Sequence, residues 1–184
     1  MKICLDNNNF FRNMCSGNPI LFGQKEFENA VVKIGNDILN SYDFHDEKIG
    51  LIGVSRGALP LLTAISHYVN NRNISIMQIQ MTNSDKIKDY GETRFINEMV
   101  DESVNSFIII EDVVSHGRCS NFVINRLKNI GKKVLNVYSI IMNEDFEELN
   151  YDQDIDLKYV YKITNEQWIQ FFWEKTPQIT SCEI

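Results

Sequence analysis

Residues 106–120 read SFIIIEDVVSHGRCS. An apolar run meets two carboxylates, Glu111 and Asp112, and then a short polar segment: Ser115, His116, Gly117, Arg118, Cys119 and Ser120. Unpaired carboxylates are costly to bury, so the pair is expected at a strand end and not in the core. A glycine-containing turn that opens a helix points backbone N–H groups outward, where they favour an anion such as phosphate. Neighbouring acids accept hydrogen bonds from vicinal hydroxyls, as acidic residues do for ribose in dinucleotide sites. Acids for hydroxyls and a loop for phosphate together suit a sugar phosphate. The alternative is a strand end with solvated acids and a helix cap from Ser120 or Cys119.

A second loop repeats this arrangement. GVSRG, residues 53–57, follows an apolar run and precedes a helical pattern. Ser55, Arg56 and Gly57 offer a guanidinium and exposed amides, enough for a second phosphate group. The alternative is a glycine-permitted turn with Arg56 paired to a surface acid.

These loops need elements to hold them. FENAVVKIGNDILNSY, 27–42, places Phe27, Val31, Ile34, Ile38 and Leu39 on one helical face. IGLIGVS, 49–55, is a short apolar run suited to a strand buried on both faces. GALPLLTAISHYVNN, 57–71, reads as a helix with Pro60 in its first turn. ISIMQIQM, 74–81, is the next strand, SFIIIED the central one and KKVLNVYSIIM, 132–142, another. CSNFVINRLKNIG is a helix closed by Gly131. Residues 82–98 are polar without a clean period and read as a long loop. LKYVYKI, 157–163, alternates as an edge strand would, the acidic stretch 143–156 connects, and residues 1–24 read as a loosely structured extension. The class is α/β: a parallel twisted sheet with helices on both faces. Such sheets bind ligands at the carboxyl ends of their strands, where both loops lie.

Composition narrows the function classes. The chain has 184 residues, which fits one domain with a full core. A formal net charge of −7 disfavours broad nucleic-acid binding, which needs a basic footprint. The four cysteines form no CxxC pair and no metal-spaced Cys/His cluster. No window approaches a membrane span, and the N-terminus shows no signal-peptide pattern, so a cytoplasmic protein with reduced thiols is expected.

On three segments the chain resembles a type I phosphoribosyltransferase, nearest to the bacterial xanthine-guanine and hypoxanthine branch. IIIEDVVSHGRCS resembles the family's strand and loop for 5-phosphoribosyl-1-pyrophosphate (PRPP), LIGVSRGALP its pyrophosphate loop, and WIQFFWEK, 168–175, its base-covering C-terminal segment. The resemblance spans residues 25–175 as a single domain, with a hood loop at 82–98, a base-covering segment at 164–175 and a tail at 176–184. It implies that Glu111 and Asp112 hold the ribose hydroxyls, directly or through Mg²⁺. Ser115, His116, Gly117, Arg118, Cys119 and Ser120 would wrap the 5′-phosphate, and Ser55, Arg56 and Gly57 would bind pyrophosphate. Trp168 would stack on the nucleobase and Ile169 read its edge through the backbone. Lys86, Lys88 and Arg94 are candidates to reach pyrophosphate from the hood; a solvated charged loop is the alternative. The implied activity is Mg²⁺-dependent transfer of the phosphoribosyl group to a purine or purine-like base, in a homo-oligomer.

Four positions depart from the family. Ser115 stands where purine enzymes carry an Asp near the base nitrogen, and serine is no base at neutral pH without an activator. His116 and Cys119 replace threonines; His116 is expected near phosphate or solvent. Asn143 stands near the position where 6-oxopurine enzymes carry a lysine. KIKDYGE, 86–92, resembles the hood of orotate enzymes, and HGRC the loop of pyrimidine-operon attenuators. A second reading follows: a PRPP- or nucleotide-binding regulator that keeps the site and has lost efficient chemistry.

Overall fold

The computed structural model describes residues 2–5, 20–44, 48–54, 56–83, 90–115, 117–143, 155–163 and 169–174, with 2–4, 77–83 and 90–99 as backbone only. In chain order the elements are β1 (Lys2–Cys4), β2 (Ile20–Phe22), α1 (Gln24–Ser41), β3 (Ile49–Val54) and α2 (Ala58–Tyr68). Then come β4 (Ile74–Asn83), β5 (Tyr90–Met99), β6 (Ser106–Val114), α3 (Arg118–Asn129), β7 (Lys133–Asn143), β8 (Asp156–Ile163) and β9 (Ile169–Phe171). A single 3₁₀ turn, Phe172–Glu174, follows β9.

The main sheet has the strand order β1-β8-β7-β6-β3-β4-β5. All neighbours pair in parallel except β4 with β5. Parallel strands are buried on both faces, and β3 has no exposed residue. On one face α1 sets Ala30, Ile34 and Ile38, and α2 sets Leu61, Leu62 and Ile65, against Ile108 and Ile110 of β6. On the other, α3 sets Val123, Ile124 and Leu127 against Phe107 and Ile109. Helices on both faces of a parallel sheet are therefore the observed class, as the sequence implies. Each fully buried Ile or Leu contributes roughly 1.5–3 kcal/mol relative to exposure.

Three expectations are corrected. Residues 82–98 are not one long loop: β5 returns antiparallel along β4, from Asn83↔Tyr90 to Ile76↔Met99. Bulges between Gln78 and Ile79 and between Met81 and Asn83 break the two-residue period, and a sheet-edge strand needs no continuous apolar pattern. LKYVYKI is not an edge strand. β8 lies between β7 and β1, and its Lys158 is buried because Asp37 of α1 pairs with it at 2.6 Å. Nor is 1–24 loose throughout. Lys2–Cys4 lies along β8, and β2 pairs in parallel with β9, Ile20↔Ile169 to Phe22↔Phe171.

Candidate functional site

β3, β6 and β7 run parallel, so their ends at Val54, Val114 and Asn143 reach one edge of the sheet. There α2 opens after β3 and α3 after β6. The acid pair sits slightly inside this edge, because β6 continues through Val113 and Val114. The two carboxylates take opposite faces. Asp112 lies on the α2 side, against Gly57 at the start of that helix: a Cβ built on Gly57 would stand 1.7 Å from Asp112 Oδ2. Glu111 lies on the α3 side, where it accepts a hydrogen bond from the Ser120 hydroxyl.

Burial contradicts the expectation that neither acid is a core residue. Glu111 is 5% exposed and Ser120 fully buried. The hydroxyl partner makes the burial tolerable, which residue type alone does not reveal. Burial pushes the Glu111 carboxyl up to about 8; the Ser120 hydrogen bond opposes this and the Asp112 charge adds to it. Asp112 is partly buried. Its carboxyl is also held above the usual range, chiefly by burial and further by Glu174, while the backbone N–H groups of Val113 and of Asp112 itself pull it down. Glu174 was not among the sequence candidates, although it lies in the WIQFFWEK segment. It reaches the site through the turn after β9, where it accepts the Phe171 N–H at 3.0 Å.

The loop after β6 shows why its residue types matter. Gly117 is in the left-handed region, φ 68° and ψ 5°, which costs an L-residue with a side chain roughly 1–2 kcal/mol. As the residue before α3 it offers no capping side chain. Its carbonyl accepts the Asn121 N–H at 2.8 Å. Ser115 and Arg118 are exposed. Burial, then Glu111 and Asp112, push the Cys119 thiol up to about 12, which disfavours the thiolate there. Arg56 is exposed in the turn before α2, and its carbonyl accepts the Leu59 N–H at 3.2 Å. Asn143 is buried at the end of β7, and Ile169 is buried in β9. Ser55, Lys86, Lys88, His116 and Trp168 lie outside the described residues, and Arg94 is described as backbone of β5, opposite Gln80.

Aromatic side chains gather over the β2–β9 pair. Trp173 stacks on Phe171 at 4.4 Å between ring centroids and meets Phe27 of α1 edge-on at 5.3 Å. Phe22 touches Phe171 and Tyr161 edge-on. Trp173 is thus part of the packing, as aromatic rings near a chain end commonly are.

Among the described residues no group of three or more His, Cys, Asp or Glu converges as a metal cage. A magnesium ion does not need one: it keeps several waters and takes one or two carboxylates plus substrate phosphates. Asp112, beside the Arg56–Gly57 turn, fits that demand. No described helix is long and apolar enough to cross a membrane.

A purine phosphoribosyltransferase from Pyrococcus horikoshii Ot3 superposes with a TM-score of 0.66 at 18% identity, over 88% of this chain and 97% of that one. The chain has the type I phosphoribosyltransferase fold. A curated hypoxanthine phosphoribosyltransferase from Buchnera aphidicola subsp. Schizaphis graminum is 22% identical over 137 residues, 73% of this chain and 77% of that protein. A hypothetical protein from Neisseria gonorrhoeae solved with bound ppGpp superposes with a TM-score of 0.69 at 12% identity, over 89% of this chain and 92% of that one. No family model matches the chain.

Proposed function

We propose that the protein is a phosphoribosyltransferase that moves the 5-phosphoribosyl group of PRPP to a purine or purine-like base and releases pyrophosphate. The observation that carries this reading is the closeness of Asp112 to Gly57, which joins the acid of one loop to the turn of the other. A substrate with a sugar diol and two phosphate-bearing ends spans such a junction.

In this reading Asp112 accepts a ribose hydroxyl and would help to hold a magnesium ion. Ser55, Arg56 and Gly57 bind the pyrophosphate, and the Ser115–Ser120 loop, with His116 and Arg118, binds the 5′-phosphate. A bound magnesium ion supplies positive charge at the departing pyrophosphate. The base nitrogen attacks C1 as the C1–oxygen bond breaks, and the base gives up its proton. Positive charge that builds on the ribose ring is met by the Asp112 carboxylate. Asn143, Trp168 and the Ile169 backbone select the base. Lys86 and Lys88, which follow β4 in sequence, and Arg94 of β5 reach the pyrophosphate and exclude water. The protein acts as a homo-oligomer in the cytoplasm.

Pyrophosphate release from Mg²⁺-PRPP, measured with guanine, xanthine, hypoxanthine, adenine, orotate, uracil and nicotinamide in turn, tests the reading. Release with a purine is expected, and Asp112→Asn should lose PRPP affinity sharply in a folded protein. Unchanged PRPP affinity in that variant would remove the assignment.

Ser115 favours a second reading. The position is exposed and carries a hydroxyl in place of the acid of purine enzymes, and one structure of this fold holds ppGpp. A nucleotide-binding regulator on the same site would bind PRPP or ppGpp tightly and release no pyrophosphate with any base.

A further inference from the structure

The acid pair of β6 is divided between two jobs. Alternation along the strand puts Ile110 and Asp112 toward α1 and α2, and Ile109 and Glu111 toward α3. Asp112 therefore meets the turn after β3, whereas Glu111 turns away from it into a site closed to solvent. There its partner is Ser120, in the first turn of a helix whose preceding residue, Gly117, offers no capping side chain. The Ser120–Glu111 hydrogen bond ties that first turn to β6.

We propose that Glu111 is a positioning residue and no ligand of ribose or metal. Its carboxyl group holds Ser120 and so fixes the first turn of α3 against β6, which keeps the amides of residues 117–120 aimed at the 5′-phosphate. This rests on the reading of the loop as a PRPP site. It divides a pair that sequence alone treats as equivalent: Asp112 serves the ligand, and Glu111 serves the loop that binds the ligand's other end.

The test uses Glu111→Gln, Glu111→Ala, Ser120→Ala and the Glu111→Ala/Ser120→Ala pair, with PRPP binding by calorimetry and amide hydrogen exchange over residues 118–121. Loss of one buried hydrogen bond predicts about tenfold weaker PRPP binding in each alanine variant. The double variant should be no worse than either single one, because both remove the same contact. Glu111→Gln keeps an oxygen for the Ser120 hydroxyl and should keep PRPP affinity within about threefold, with the same magnesium dependence. Exchange over 118–121 should quicken in the alanine variants and stay slow in Glu111→Gln. The proposal is overturned if Glu111→Gln loses PRPP as Asp112→Asn does while Ser120→Ala is silent, for then Glu111 is a direct ligand. If no form binds PRPP, the site reading fails by itself. Hydrogen exchange still decides the latch: equal exchange in wild type and Ser120→Ala overturns it.

Discussion

At Gly57 there is no room for a methyl group. The nearest atom to an added Cβ is a carboxylate oxygen of Asp112, at 1.7 Å, well inside any real contact. Gly57→Ala should therefore push Asp112 out of place and weaken PRPP binding about as much as Asp112→Asn, with little loss of stability. Parallel titrations of PRPP into the two variants check this. Glu111 makes a prediction about pH. Its carboxyl is raised from 4.5 to about 8, so the folded protein holds that proton more firmly than the unfolded chain. The stabilisation is whole below about pH 4.5 and is lost as pH climbs through about 8. Melting curves across this window should show wild type losing stability relative to Glu111→Gln as pH rises; a constant difference would refute it. The strand end that carries Asp112 and the Arg56–Gly57 turn beside it were legible in the sequence, because strand ends followed by glycine have few structural uses. Ser120 as the partner of Glu111 was not. Which side of a strand a side chain takes, and what waits there, depends on the helix packed across it.

Among the elements, α1 and α2 meet at a spot that tolerates little. A Cβ on Gly35 would lie 2.3 Å from the Tyr68 ring, whose hydroxyl donates to Asn36 Oδ1 at 2.9 Å. Gly35→Ala should displace that ring and cost about 1 kcal/mol by overpacking. In a Tyr68→Ala background the same change should stabilise the protein by about 1 kcal/mol, since alanine is then simply the better helix former. Urea midpoints of the four proteins measure the change of sign. Helices α1, α2 and α3 were readable from their apolar spacing, and Pro60 and Gly131 marked a start and a stop. The β4–β5 hairpin was not readable, because its second strand is polar, follows bulges and owes its place to backbone pairing with β4.

Across the whole molecule, α1 is tied to the sheet by a polar junction at the end away from the site. Asp37 Oδ2 accepts Lys158 Nζ and the Tyr138 hydroxyl, both at 2.6 Å, and Lys158 also lies 5.5 Å from the centre of the Tyr138 ring. Burial and Asp37 hold the Tyr138 phenol far above its ordinary pKa, so it remains a donor. Lys158→Met should cost about 2 kcal/mol, the worth of a hydrogen bond to a charged group, and leave PRPP affinity unchanged. Denaturant midpoints and calorimetry on one preparation read both. This junction escaped the sequence reading because a lysine in an alternating strand looks solvated until Asp37, more than a hundred residues earlier, is seen beside it. The same long reach has a consequence for how the protein is made. β1 pairs with β8 and β2 with β9, partners about 150 residues apart. While the ribosome is still building the middle of the chain, Ile20 and Phe22, both nearly inaccessible in the finished fold, still lack β9, and Phe22 lacks the Tyr161 and Phe171 rings. The N-terminal strands are the first to be synthesised and must be among the last to dock. Until then they are the segments of the nascent chain most in need of a chaperone.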